Sequence, residues 1–273
     1  MTVDQCAALS DVLLQMEQAA KFSPCYLVAH VMPLLVAAIP LSILLTVVSG
    51  VIGNLLAVPV AVARINPNPV LWVPSYLFIL LMRGTPLIIQ IYLIYYGLGQ
   101  VFGDIRIDGQ RLMQVLPFLK NGIWYAIFAL SINTAGYTGE ILRGAILAVP
   151  HGEIEAGRAF GMSKWMIFRR ITLPRAIRIC LPTMSTETVL LLKATSLASL
   201  VTVYEVLGTG RYIMQQDLRY YEPLVGGAII YVILVFILTR ILNWFERTLN
   251  KDRQRPLATT SQIMAGVQRS DLN

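Results

Sequence analysis

The sequence predicts an all-α, polytopic membrane protein with five transmembrane helices, its N-terminus outside and its C-terminus in the cytoplasm. Three observations carry the prediction. Of 273 residues, 56% are hydrophobic and only 14% are charged, against about 25% charged in an ordinary soluble domain. The mean hydropathy is +0.65, too apolar for a water-facing surface of this size. The apolar residues fall into five long runs, and the 22 Lys and Arg residues gather in particular connections between them.

Each crossing needs about 20 predominantly apolar residues. Val31 to Ala63 holds no charged side chain and makes the first. Val70 to Gly103, with Arg83 alone, makes the second, and Asn121 to Pro150, with Glu140 and Arg143, the third. Ile179 to Tyr204, with Glu187 and Lys193, makes the fourth, and Pro223 to Phe245, with Arg240 near its end, the fifth. Orientation follows from the short loops, because Lys and Arg stay on the cytoplasmic side. His151 to Arg178 carries Arg158, Lys164, Arg169, Arg170, Arg175 and Arg178, and the tail adds Arg247, Lys251, Arg253 and Arg255. On the opposite side Arg106, Arg111, Lys120, Arg211 and Arg219 are diluted by Asp104, Asp108, Glu205, Asp217 and Glu222. The net charge of +7 is therefore a topology signal and gives no nucleic-acid patch.

Three segments result. Residues 1–30 form an outer N-terminal segment in which Ser10 to Lys21 reads as a short amphipathic helix on the membrane surface, with Val12, Leu13, Met16 and Ala20 on one side. Asp4, Asp11 and Glu17 outnumber Lys21 there, which argues against a cleavable signal peptide. Residues 31–248 form the transmembrane domain, and residues 249–273 a cytoplasmic tail expected to be disordered. Cys6, Cys25 and Cys180 show no metal or redox spacing; Cys6 and Cys25 could pair in an oxidising space or remain two thiols. Within the first span Ser49, Gly53, Ala57 and Ala61 recur every fourth residue, a ridge on which a second helix can approach closely.

The most specific pattern lies in the basic loop at about residues 150–175. Glu155-Ala156-Gly157-Arg158-Ala159-Phe160-Gly161 is followed by Ile171-Thr172-Leu173-Pro174. A helix from about Gly152 to Phe160 is expected, ended by Gly161, with Pro174 breaking the chain before the next span. The pattern resembles the EAA loop of ABC importer permeases, with Gly157 where that family usually has Ala, a change that costs a helix up to about 1 kcal/mol. Arg83-Gly84-Thr85-Pro86-Leu87 resembles the R-G-T-P-L segment of polar amino acid permeases. Gly136 to Ala145 with Val149 to Gly152, and Leu192 to Leu197 with Ala194 in place of the common Asp, resemble further segments of that group. The likeness covers roughly residues 35–248 and leans toward opine and basic amino acid permeases.

The resemblance implies a type I importer permease fold in a bacterial inner membrane. It also implies a second permease subunit, homologous or identical, two cytoplasmic ATPase subunits and a periplasmic solute-binding protein. ATP and Mg would sit on the partner ATPases and no cofactor on this chain. Glu155, Ala156, Gly157, Ala159, Phe160 and Gly161 would contact the ATPase and transmit its movement.

Ionisable groups within the membrane are costly, so each is a functional candidate. Arg83, Gly84, Thr85 and Pro86 mark a bend that could bring polar groups to the translocation path, although Arg83 could equally snorkel to the headgroups. Glu140 and Arg143, three apart, share a helix face and could pair. Glu187 could attract the ammonium or guanidinium of a cationic solute, with Thr183, Thr186, Thr195 and Ser196 adding hydrogen bonds; an interhelical ion pair is the alternative. Several chemistries are excluded. No G-x-x-x-x-G-K-[ST] occurs, since Gly152 and Gly157 are followed by Arg158 and Ala159, so the chain is not the ATPase. His30 and His151 are too distant for a His-based metal site or nucleophile. An ion-gradient-driven secondary transporter is the rival reading but leaves the loop motif unused, and a membrane enzyme or scaffold is the other.

Overall fold

The computed structural model describes residues 22–107, 110–111, 116 and 120–249. The amphipathic helix expected over Ser10 to Lys21, the thiol of Cys6 and the tail beyond Leu249 lie outside the described residues. Helix α1 (Pro24–Ile65) starts on Ser23, whose hydroxyl accepts from the Tyr26 N–H, with Pro24 at the first position, where no N–H is missed. One π-turn, Leu27–Val31, lies near its start. Asn68 caps α2 (Pro69–Gly84); α3 (Leu87–Asp104) follows after a sharp bend of 108°. A two-residue antiparallel pair, β1 (Arg106–Ile107) with β2 (Gln110–Arg111), is the only strand structure among the described residues. Then come α4 (Gly122–Leu147), α5 (His151–Ala159), α6 (residues 164–194), a 3₁₀ segment Thr195–Val201, α7 (Val206–Asp217) and α8 (Tyr221–Leu249).

The central packing is α1 against α4. Ser49, Gly53, Ala57 and Ala61 are all buried. The seam is tight: a Cβ on Gly53 would come within 2.6 Å of Thr134 Cβ and 2.9 Å of the Ser131 carbonyl oxygen. The Ser49 hydroxyl donates to the Ile127 carbonyl at 3.4 Å. Three apolar clusters follow α1 along its length. Leu27, Leu35, Val206 and Ile230 meet near its start, Leu45, Ile91, Ala126 and Val201 at its middle, and Ala61, Leu142, Ala176 and Cys180 near its end. The opposite face of α1 (Val47, Val51, Leu55) and much of α8 (Val232, Phe236, Trp244) present large apolar side chains outward, as lipid-facing helices do.

Among the described residues three helical stretches are long and apolar enough to cross a membrane: Pro24–Ile65, Lys164–Asp217 and Tyr221–Leu249. The bent α2–α3 pair makes up to four. The remaining expected crossing coincides with α4, which has 26 residues, about 39 Å at 1.5 Å per residue. It carries Asn133, Thr134, Tyr137, Glu140 and Arg143, and so falls short in hydropathy. Enclosure explains that composition, because many of its residues are buried against other helices and it needs no all-round lipid face.

Two expectations are corrected. Pro174 does not break the chain: it lies in the first turn of the helix Leu173–Ala194, which continues from Lys164–Ile167 through a π-turn at Phe168–Thr172. That turn absorbs the missing N–H. Glu205 and Glu222, read as acids diluting the positive charge of one outer loop, are both fully buried. Thr202 turns the backbone left-handed at φ 60°, and Glu205 then caps α7, accepting from the N–H groups of Leu207 at 2.9 Å and Gly208 at 2.8 Å. Ser42 on α1 and Tyr231 on α8 donate to the same carboxylate at 3.3 and 2.7 Å. Glu222 accepts from the Ser23 N–H and pairs with Arg219, both at 3.0 Å. Arg219 also covers the Tyr26 ring at 4.4 Å, and the Tyr26 hydroxyl donates to Asp217. These contacts tie the start of α1 to the α7–α8 turn.

Gly53→Ala is expected to destabilise the assembled protein by about 1–3 kcal/mol, because the extra methyl meets backbone as well as side chain. Gly50→Ala on the same helix meets only Leu191 Cδ2 at 3.4 Å and should be neutral; thermal inactivation in detergent separates the two. By the same assay Glu205→Leu, which strands four buried donors, should be more destabilising than Glu205→Gln.

Candidate functional site

The site is built on the break between α2 and α3. Pro86 has no N–H, so the carbonyl of Met82, four residues earlier, loses its helical donor. In lipid such a carbonyl must find another. The side-chain amide of Gln90 donates to Met82 O at 3.1 Å, to Thr85 O at 3.2 Å and to Thr85 Oγ1 at 2.7 Å. Asn133, reaching across from α4, donates to Met82 O at 3.2 Å and to Gln90 Oε1 at 2.9 Å. Thr85 closes the α2 end, its N–H and its hydroxyl both bonding Leu81 O, at 3.1 and 2.7 Å. The bend is thus a satisfied polar joint and not a frayed helix.

Beside that joint lies a cavity of about 420 Å³ lined by Arg83, Gly84, Thr85, Pro86, Leu87, Asn133, Thr134, Tyr137, Glu187, Leu190, Leu191 and Ala194. The whole expected bend segment and the half-buried Glu187 therefore share one chamber, with Arg83 and Glu187 providing opposite charges. Arg83 stands over the Tyr137 ring at 5.6 Å. Thr183, Thr195 and Ser196, named with Glu187 as pathway residues, do not line this chamber. Thr183 is exposed; Thr195 donates to Leu192 O and Ser196 to Lys193 O, both at 2.7 Å. Hydroxyls on helices often satisfy themselves on the preceding turn in this way, as Thr186 does on Pro182 O at 3.3 Å. Glu140 is held by Arg143 through both oxygens, at 2.6 to 3.0 Å, and lines a neighbouring cavity.

The second candidate region is α5 and the turn after it. Gly161 adopts φ 73°, and the Met162 N–H reaches back to Gly157 O at 3.1 Å, a Schellman-type ending. Ser163 then caps α6, accepting from Met166 N–H. Gly157 is the buried residue of α5: a Cβ there would come within 2.9 Å of Ile171 Cδ1 and 3.2 Å of Ile167 Cγ1. A glycine at this position lets α5 lie close on α6, and only flexible side-chain ends would resist an alanine. Glu153 adds an exposed ion pair with Arg175 at 3.3 Å. Glu155, Ala156, Ala159, Phe160 and Gly161 face outward, with Phe160 86% exposed and Trp165 68%.

Gln90, Asn133 and Tyr137 were not singled out from the sequence. Their signal was available: a lone amide four residues after a proline, and an Asn-Thr pair inside a long apolar helix. Among the described residues no group of His, Cys, Asp and Glu could hold a metal ion.

Comparison with known proteins agrees with this architecture. Residues 53–251 match the family model described as binding-protein-dependent transport system inner membrane component. The octopine transport system permease protein OccM of Rhizobium radiobacter is 40% identical over 89% of this chain and 96% of its own. The nopaline transport system permease protein NocM of Agrobacterium fabrum is 38% identical over 82% and 91%. The histidine/lysine/arginine/ornithine transport system permease protein HisM of Salmonella typhimurium is 37% identical over 77% and 87%. Among solved structures, an amino acid ABC transporter with histidines is similar at a TM-score of 0.67 and 29% identity, over 79% of this chain and 94% of that one. The MetNI methionine ABC transporter shares the fold at a TM-score of 0.66 and 21% identity, over 84% and 100%. With a helical membrane fold, a sharply bent helix pair and relatives among importer permeases, the chain belongs to the binding-protein-dependent transport system inner membrane component family.

Proposed function

We propose that this chain is one half of the membrane pathway of an ATP-driven importer for a polar amino acid or an opine, with preference for a cationic one. The observation that carries the reading is the chamber at the bend, where Arg83 and Glu187 provide opposite charges. A small solute with a carboxylate and an ammonium or guanidinium has matching ends. The names of the relatives point the same way, since they print octopine, nopaline, and histidine, lysine, arginine and ornithine as solutes.

The topology we propose has five crossings: α1, the bent α2–α3 pair, α4, α6 and α8. An odd count leaves the N-terminus outside and the C-terminus in the cytoplasm of a bacterial cell, with the basic α5–α6 region inside. Five helices enclose part of a path, so a homologous or identical permease subunit completes it. Two ATPase subunits bind the nucleotide and Mg, and a periplasmic solute-binding protein delivers the solute. The exposed face of α5, with Glu155 and Phe160, seats on an ATPase; closure of the ATPases moves α5 together with α6 and so shifts Glu187 against the bend. The chamber then opens to each side in turn.

Uptake into proteoliposomes containing the complete importer is expected to require ATP and to survive an ionophore that collapses ion gradients; loss of uptake with the ionophore would favour a secondary transporter instead. Glu155→Arg and Gly161→Trp are each expected to abolish ATP-driven uptake while the chain still inserts in the membrane, and normal uptake would remove α5 from the coupling path. Glu187→Gln should weaken uptake of a cationic solute roughly tenfold, the scale of one hydrogen bond to a charged group, with little effect on a neutral amino acid. Equal loss for both solutes would make Glu187 a structural residue.

A further inference from the structure

A second cavity, of about 430 Å³, lies against the first and shares Arg83, Gly84 and Tyr137 with it. Its own charged residues are Arg64 and Glu140. The carboxylate of Glu140 is already bound through both oxygens by Arg143, so its charge is compensated within α4. Arg64 and Arg83 form no ion pair among the described residues. Glu140 also attracts Arg64 and Arg83 through space, but three arginines, Arg64, Arg83 and Arg143, stand against this one carboxylate, so the cavity keeps a net positive charge, unlike the first, where Glu187 faces the same chamber as Arg83.

Arg64 is held in an unusual way. Its guanidinium carbon lies 4.8 Å from the ring centres of both Trp72 and Tyr76, which stack on each other at 5.4 Å and 8°. Aromatic faces stabilise the cation without using a hydrogen-bond donor. Its Nε atom is buried with no acceptor among the described residues. Buried donors are nearly always paired, and a planar guanidinium fork suits a carboxylate or phosphate oxygen pair.

We infer that Arg64 is a second carboxylate-binding station, beyond Arg83 on the solute's route, which takes the carboxylate end of the solute on its way out. The inference rests on the reading of the first cavity as the solute site. Continuity through Arg83 and Tyr137 gives a solute carboxylate already in the chamber a path to Arg64. The station holds a cationic solute weakly, since Arg64 and Arg83 repel its side chain while binding its carboxylate. That asymmetry favours release over return to Glu187. A phosphate of an anionic lipid has the same oxygen chemistry and is the competing occupant in the test.

The test uses the complete importer in inverted vesicles, with Cys6, Cys25 and Cys180 replaced by Ser and Leu80→Cys introduced. Leu80 lines the second cavity and not the first. A negatively charged methanethiosulfonate should modify this cysteine faster than a positively charged one, and Arg64→Gln should cut that ratio roughly tenfold. L-arginine should slow the modification, and agmatine, which has the same side chain and no carboxylate, should not. Arg64→Gln should abolish the protection and Arg64→Lys retain part of it. No preference for the anionic reagent, equal protection by agmatine, or protection that follows added phosphatidylglycerol and not L-arginine would overturn the station. ATP-driven uptake by the Leu80→Cys importer is measured in parallel. Intact uptake without L-arginine protection refutes the station alone, and absent uptake counts against the transport reading.

Discussion

The whole site depends on one unsatisfied carbonyl. A proline at position 86 removes the donor that Met82 O would have had, and a hydrocarbon surrounding offers no water to replace it. The side-chain amides of Gln90 and Asn133 replace it instead. Because Asn133 sits on α4, the repair also fixes where the bend stands relative to the most enclosed helix of the fold. Arg83 is one residue before the break and Glu187 faces it from α6. The polar joint thus sets the chain beside Arg83 against the chamber that Glu187 lines.

The rest of the structure holds that joint steady. The seam of small residues brings α1 within backbone contact of α4 near Ser131 and Thr134, directly beside Asn133. Near the middle of α1, buried Glu205 gathers donors from α1, α7 and α8 around one carboxylate. Buried charges persist where every lone pair has a partner, and here the partners come from three different helices. At the far end, α5 is seated on α6 through Gly157, Ile167 and Ile171. A push on α5 therefore acts on the helix that carries Glu187.

Much of this was legible in the sequence because it depends on local chemistry. The long apolar runs mark the helices, the Gly-Thr-Pro at 84–86 marks the break, and Gly161 marks the end of α5. The small-residue period in α1 announced the α4 seam. What could not be read depends on distant partners. Glu205 and Glu222 look like loop acids until α1 and α8 are brought around them, and Thr202 gives no sign of the left-handed turn that precedes α7. Thr183, Thr195 and Ser196 share a helical region with Glu187, yet spacing does not reveal that Thr195 and Ser196 bond their own backbone. Pro174 shows the reverse case: a residue that reads as a break is absorbed by a π-turn. Arg64 carries no signal of its own in the sequence, because it stands just past the first apolar run, where a charge is ordinary, and its aromatic support comes from the next helix.

The central claim is that the amide-repaired break creates the solute chamber. The most direct measurement is equilibrium binding of labelled L-arginine to the purified importer without its external binding protein, comparing the unaltered chain with Gln90→Leu. The account predicts an affinity lower by roughly tenfold or more once the three Gln90 donor bonds are gone, with the subunits still assembled. Unchanged affinity in an assembled Gln90→Leu importer would contradict it.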